Sequence, residues 1–395
     1  MKDFKSIIRQ GLLLVNKIFV FKDYVSFCSL PDFSDNPQAL FDYMYNNYEL
    51  SGLKICWHLM DKDNTSMVRE WIKEKYSNQN IKVRIVPKYS LLSVIYFFRS
   101  RVIIDSHGMY EFKTNKQLDL YLFHAMPVKK VGYLLHTDLK PIKLEGFHYS
   151  VTSAFFKKVF MEAFYTDANS ISISGMPRND YLFFPLSQFE GVKDYILFMP
   201  TFRKTNGKYN FNRTDIIEPL NTLFNISEIG WKRIDNILTG KKIIMYIKPH
   251  PSDKLQNIHF LDECKNIKII SDKLLLEKKV PLYQFIAGSL CLITDYSSTY
   301  IDYLLTNKPI CFFIPDYDSY KKNRGFVFDD FESMLTGRVC RNEEELEEFL
   351  SGQYKVSNNY QEVKEFINEI RGPYSSELLM KEFEEIILKK RGTKK

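Results

Sequence analysis

Two α/β domains in series, each a parallel sheet wound with helices on both faces, is the fold class this sequence predicts. Three observations predict it. At 395 residues the chain exceeds one ordinary core. Short apolar runs alternate with stretches of helical period, and that alternation stops at a polar segment and starts again. The polar motifs of the chain fall just after the apolar runs, at the carboxyl ends of the expected strands, where such sheets bind their ligands.

The opening MKDFKSIIRQGLLLVNKIFVFK mixes Lys2, Lys5, Arg9, Lys17 and Lys22 with Ile7, Ile8, Leu12, Val15 and Phe19. It reads equally as an interfacial amphipathic helix and as an ordinary packed first helix. Its apolar stretch, Gly11 to Val20, is interrupted by Lys17 and is too short to span a bilayer. No cleavable secretory leader is expected. Strands are expected at Tyr24–Cys28, Lys54–His58, Lys82–Val86, Arg101–Ile104 and Leu118–Phe123. Helices are expected near Ala39–Tyr48, Met67–Tyr76, Leu91–Phe98 and Ala154–Tyr165, followed by a strand-like Ser170–Ser174.

The polar segment near Pro185–Asp194 divides the chain into a first domain over 1–188 and a second over 189–375. The pattern restarts with strands at Tyr195–Met199, Lys242–Ile247 and Ile267–Ile270, a helix through Trp231 to Leu238 and another near Leu282–Ala287. Then comes LITDYSSTYIDYLLTNKPICFFIPDYDSYKKNRGF, from Leu292 to Phe326. It reads as strand, polar turn, helix, second strand and a loop rich in acid, Tyr and base. Ser297 or Ser298 would cap the helix, leaving its free N–H groups at the strand's end, a site suited to an anion. Helices at Glu343–Leu350, Tyr360–Ile370 and Ser376–Lys390 are expected to be solvated and external; the last, in a segment 376–395, can pack back across both domains.

Hydrophobic residues make up 45% of the chain and aromatics 15%, ample for globular cores, which excludes wholesale disorder. The net charge of +7 suits a polyanionic ligand, an anionic membrane surface or nucleic acid, and chooses among none of them. Nucleic acid is disfavoured because the basic residues form no stripe interleaved with aromatics. Six cysteines (28, 56, 264, 291, 311, 340) show no CxxC spacing and read as reduced core residues of a cytoplasmic protein. There is no HExxH, no paired DxD turn and no Cys/His cluster, so no metal site is expected; DYD at 316–318 is a weak signal. Absence of GxxxxGK[ST] disfavours a P-loop NTPase.

Two of seven histidines follow expected strands. His124 follows LDLYLF, and His250 lies in Lys248-Pro249-His250-Pro251 after IIMYIK. A histidine near neutral pKa can take a hydroxyl proton, while Lys and Arg neutralise phosphate. His107 and His136 are secondary candidates; His58, His148 and His259 read as structural. Arg178, Arg203, Lys248 and Arg324, after strands or in Gly/Pro turns, suggest a convergent anion pocket, and Asp180 would either orient Arg178 or cap the helix after it.

Taken in order, FHAMPVKKVGY (123–133), SGMPRNDYL (174–182), ILFMPTFR (196–203), IKPHP (247–251), ITDYSSTYIDYLL (293–305) and DYDSYKKNRGF (316–326) are similar to the CDP-glycerol glycerophosphotransferase family, whose members make teichoic acids and related capsule polymers. The resemblance implies a GT-B fold, with two Rossmann-like domains facing a cleft, the first (1–188) an acceptor domain and the second (189–375) holding the nucleotide. It implies metal-independent, cofactor-free transfer of a polyol phosphate from a CDP-linked donor to a hydroxyl of a lipid-linked or polymer acceptor, at the cytoplasmic face of the membrane. On that resemblance His124 is the base and His250 a phosphate contact or acid. Ser297 and Ser298 sit at the pyrophosphate with Asp295 beside them. Arg178, Asp180, Thr201, Arg203, Lys248, Tyr296, Asp302, Arg324 and Gly325, all within matched segments, complete the expected binding set. The chain departs from the family in having Phe-His-Ala-Met where Trp-His-Gly-Thr is common, and Lys204 where an acid often follows the Arg. Two alternatives stay open: a GT-B glycosyltransferase using a sugar nucleotide, and a non-catalytic GT-B module that binds a polymer.

Overall fold

A computed structural model describes residues 2–19, 22–135, 146–201, 222–250 and 259–388. In the first domain, strands β1 (Tyr24–Cys28), β2 (Lys54–Leu59), β3 (Lys82–Pro87), β4 (Ser100–Asp105), β5 (Leu118–Tyr121), β6 (Phe147–Ser150) and β7 (Ile171–Ser172) form one sheet in the order β3-β2-β1-β4-β5-β6-β7. Every pairing in it is parallel. Helices α1 (Lys2–Ile18), α2 (Asp35–Asn47), α3 (Thr65–Lys75), α4 (Leu91–Phe98) and α5 (Ala154–Phe164) connect or cover its strands.

In the second domain β8 (Tyr195–Met199) leads to a short antiparallel hairpin, β9 (Thr222–Leu223) with β10 (Ile226–Ser227). Strands β11 (Ile244–Ile247), β12 (Ile267–Ile269), β13 (Leu292–Thr294), β14 (Ile310–Phe313) and β15 (Arg338–Cys340) join β8 in a parallel sheet of order β12-β11-β8-β13-β14-β15. Its helices are α6 (Glu228–Lys241), α7 (Asp272–Glu277), α8 (Leu282–Gly288), α9 (Thr299–Tyr303), α10 (Tyr317–Asn323), α11 (Glu343–Ser351) and α12 (Tyr360–Ile367); α13 (Ser375–Leu388) follows.

The central strands explain the parallel order. In β1 and β8 every residue is buried, the continuous apolar pattern of strands covered on both faces. Serines at helix starts satisfy first-turn N–H groups: Ser90 accepts from Ser93, Ser153 from Phe156, Ser227 from Gly230 and Ser271 from Leu274.

Several expectations change. Tyr317–Asn323, read as a loop, is α10, with Tyr317 and Tyr320 turned into the core. The helix after the polar turn is only five residues, α9, continued by a 3₁₀ turn over Leu304–Thr306, and Ser298 makes no side-chain capping bond to it. Helix α13, for which both a solvated exterior position and packing back across the domains were expected, lies against the first domain. Leu379, Met380, Phe383 and Ile387 bury into the core formed by Val25, Phe27, Phe41 and Trp57 of the first domain. Its start is capped by Asp180, which accepts from Ser375 N and Ser376 N at 2.9 Å each.

The two sheets share a core. Phe123, Met126 and Tyr149 of the first domain cluster with Tyr296, Tyr300 and Phe326 of the second. The chain after His124 also pairs with the second domain: Lys129 and Phe326 form an antiparallel bridge, and Val327 N donates to Val128 O at 3.0 Å.

Candidate active site

The carboxyl ends of both sheets open on one cleft between the domains. Strand β5 ends at Tyr121, and Phe123 then adopts a left-handed φ of 57°, which turns the chain so that His124 faces the cleft. A bulky residue holds that conformation only when its surroundings impose it. Here Asn36, in the first turn of α2, donates its side-chain amide to Phe123 O at 2.9 Å, and Arg178 donates to His124 O.

The His124 ring lies against that of His107, with centroids 4.4 Å apart and planes 19° apart. His107 in turn is hydrogen-bonded through Nδ1 to Ser106 Oγ at 2.9 Å. Both residues are exposed to the cleft, and the protein around them removes part of their hydration. That loss of hydration, reinforced by the Arg178 charge, lowers the His124 pKa to about 4 despite a hydrogen bond with the Ser106 main chain that favours the charged form. Desolvation by the walls of the cleft, and then the neighbouring His124, hold His107 well below the usual histidine range. At neutral pH His124 is therefore the free imidazole, the form that can accept a proton.

Opposite stand groups from the second domain. Strand β11 ends at Ile247, and Lys248, Pro249 and His250 follow into the cleft. Lys248 is buried and paired with Asp272 at 2.9 Å, so its charge is partly balanced before any ligand arrives. Ser297, Ser298 and Thr299 line the same cleft, with Ser297 Oγ accepting the Thr299 N–H at 3.4 Å. Leu275, Val280, Pro281 and Leu282, from α7 to the start of α8, give the cleft an apolar wall.

Of the expected site residues, the cleft gathers His124, His250, His107, Arg178, Lys248, Ser297 and Ser298. The others hold the frame. Asp295 accepts from Thr201 N at 2.8 Å and ties the ends of β8 and β13 together. Tyr296 is buried, bonds Asp316 through its hydroxyl and stacks on Tyr320 at 3.8 Å. Asp302 receives Arg178, Asn179 and Tyr283. Arg324 and Gly325 stand at the interdomain bridge, where Gly325 O accepts from Lys130 N and Gly325 takes a φ of 68°. Asp180 does neither of the two things expected of it: its carboxylate caps α13, far along the chain. Arg203 and His136 lie outside the described residues. His58, His148 and His259 stay out of the cleft lining.

Sequence reading missed the segment LPDFSDNPQ, residues 30–38, most of which lines the first-domain side of the cleft. The signal was present, since a run of Pro, Asp, Ser and Asn directly follows β1 at its carboxyl end. Among the described residues no group of three or more His, Cys, Asp or Glu is placed to hold a metal. No helix of the described residues is long and apolar enough to cross a membrane.

The family model described as CDP-Glycerol:Poly(glycerophosphate) glycerophosphotransferase matches residues 13–377. The chain belongs to this family. Among curated members, it is similar to a teichoic acid poly(glycerol phosphate) polymerase of Bacillus spizizenii, 25% identical over 88% of this chain and 87% of that one. A teichoic acid glycerol-phosphate transferase of Staphylococcus aureus is 23% identical, over 84% of each. Among solved structures, the wall teichoic acid polymerase TagF superposes with a TM-score of 0.68 at 19% identity, covering 99% of this chain and 97% of that one. The glycerophosphotransferase family thus accounts for both the two-sheet GT-B architecture and the position of the cleft between the sheets.

Proposed function

We propose that this chain transfers a polyol phosphate from a CDP-activated donor to a hydroxyl of a lipid-linked or polymeric acceptor, releasing CMP. The observation that carries the reading is the meeting, in one cleft, of His124 from the first sheet with Lys248, His250 and Ser297–Thr299 from the second. Family membership supports the chemistry, and the groups that line the cleft are of the kinds it requires.

The acceptor oxygen attacks the β-phosphorus, a new P–O bond forms, and the bond from that phosphorus to the oxygen bridging to CMP breaks. His124 takes the proton of the attacking hydroxyl. His250, Lys248 and the Ser297–Thr299 turn face the phosphates, and the apolar wall of Val280, Pro281 and Leu282 suits the nucleoside. Such transfer depends mainly on positioning and electrostatics, so fixed cations and N–H donors serve without a metal. Excess EDTA should leave the rate unchanged; a loss restored by Mg²⁺ would refute that part.

The proposal extends to the inner membrane surface, where a lipid-linked acceptor would lie. Leu12 and Leu13 of helix α1, with Phe19 just after it, pack against Phe97, Phe98 and Phe112, while Ile7, Leu14 and Ile18 stay exposed beside Arg9 and Lys17. Neighbouring α4 leaves Leu91 and Leu92 exposed as well. Exposed apolar side chains among basic ones favour an anionic lipid surface.

The deciding experiment incubates the protein with CDP-glycerol, CDP-ribitol and a panel of sugar nucleotides, and identifies the nucleotide released. CMP from a CDP-polyol is expected. A nucleoside diphosphate from a sugar donor would favour glycosyl transfer instead, and polymer binding without any release would favour a non-catalytic module.

A further inference from the structure

The first-domain arm of the cleft contains two buried donors that the fold leaves unused. Gln38, in the first turns of α2, is 1% exposed, and its Nε2 has no hydrogen-bond partner. Arg178 Nε is likewise buried and unpartnered, although its two terminal nitrogens are committed to Asp35, Asp302 and His124 O. Both residues line the cleft. A buried N–H left without a partner is destabilising, so two in one arm are best explained by a ligand that supplies the missing oxygens.

The backbone leading to Gln38 is also held in an unusual shape. Phe33 and Asp35 both have positive φ, 47° and 61°, in a segment whose other carboxylate, Asp32, is fixed by Met60 N and Asn64. Residues forced into this region cluster at ligand-binding segments. The arm is tied directly to the proposed base, because Asn36 of the same helical turn bonds the carbonyl just before His124.

Charge decides what class of group fits. Asp32 and Asp35 both face this arm, and Arg178 is already shared between Asp35 and Asp302. A phosphate here would meet more negative charge than positive. A neutral hydroxyl would accept from the Gln38 amide and donate to a carboxylate, and its carbon chain would pack on Pro31 and Trp71.

The geometry points to this arm as the subsite for the terminal polyol of the acceptor, with Gln38 as a specificity-determining residue that reads one of its hydroxyls. The inference rests on the transfer chemistry proposed above. The variants that test it are Gln38→Leu, which removes the amide at similar volume, and Gln38→Glu, which keeps the shape and replaces the donor with a carboxylate. In both, the acceptor KM should rise about tenfold, as expected for one lost hydrogen bond, while the donor KM moves less than twofold. An unchanged acceptor KM, or an equal rise for donor and acceptor, overturns the assignment.

A second measurement separates this inference from the proposed reaction. Saturation-transfer NMR with free glycerol and free ribitol needs no turnover. The signal should be strong for one of the two polyols with the unaltered protein and weakened in both variants. Equal signals in all three proteins overturn the subsite, even if CMP release is confirmed. Absence of CMP release with a signal that depends on Gln38 overturns the transfer reaction and keeps the polyol site. Thermal melts of the variants establish that each is folded, and if one is not, the other carries the test.

Discussion

The Asp302 carboxylate of the second domain accepts from the Arg178 guanidinium of the first at 2.7 Å, with both side chains buried. Asn179 and Tyr283 complete the shell of Asp302, and Arg178 lies over the Tyr283 ring at 4.7 Å. Breaking one side of a buried pair leaves the other charge uncompensated. Asp302→Ala should therefore lower the unfolding free energy by about 3 kcal/mol in denaturant titrations. A midpoint equal to that of the unaltered protein would show that the pair does not join the domains energetically.

Removal of the proposed base should cost more in rate than in fold. His124→Gln should reduce CMP release by about 10²–10⁴-fold with little change in melting temperature. Near-normal release would remove His124 from the mechanism.

The low pKa of His124 also sets the shape of the pH profile. Activity requires the neutral ring, so kcat/KM should fall only as pH drops toward about 4 and stay flat between pH 6 and 8 on this account. Bound phosphates favour the imidazolium and raise its pKa. The acid limb of kcat should accordingly lie at higher pH than that of kcat/KM. Coincident limbs would mean that the phosphates do not approach His124.

His58 predicts acid sensitivity of the fold. It is fully buried between Ser26 Oγ at 2.9 Å and Ser93 Oγ at 2.7 Å, and burial lowers its pKa to about 3. The unfolded chain binds this proton near pH 6.5 and the folded chain does not. Stability from this group is thus complete above pH 6.5 and declines as pH falls toward 3, by about 1.4 kcal/mol per pH unit. In His58→Gln the decline between pH 7 and 5 should be shallower by roughly 2 kcal/mol, read from denaturant midpoints. Parallel curves for the two proteins would contradict the neutral buried ring.

The exposed apolar face of α1 predicts membrane binding that depends on both lipid charge and apolar contact. Co-sedimentation with phosphatidylglycerol vesicles should fall several-fold in Ile7→Glu/Ile18→Glu and at high salt. Equal sedimentation of the double variant would locate the membrane contact elsewhere.

Much of the fold was legible because its strands are short, apolar and bounded by polar turns: β1, β8 and α4 occupy the residues that periodicity assigns to them. What could not be read depends on partners distant in sequence. Arg178 resembles a surface cation in Pro-Arg-Asn-Asp, and only the fold brings Asp35 and Asp302 to it. Asp180 reads as a local cap, yet it serves a helix that begins at Ser375. The left-handed turn at Phe123 that aims His124 has no local signal, since phenylalanine shows no preference for that region. α10 was obscured by its mixture of Asp, Tyr and Lys, whose apolar rings anchor it through Tyr317 and Tyr320.

The position of α13 bears on how the polypeptide is made. Its Leu379 and Phe383 seal a core otherwise built from Val25, Phe41 and Trp57, and residues 189–375 lie between the two parts. A ribosome adding about 5–20 residues per second delivers that intervening stretch over roughly 10 s or more. During this time the newly emerged first sheet presents uncovered aromatic surface, and the later domain has to fold beside it. The core of the earlier domain is therefore completed only once α13 has emerged, after the whole of the later domain has been synthesised.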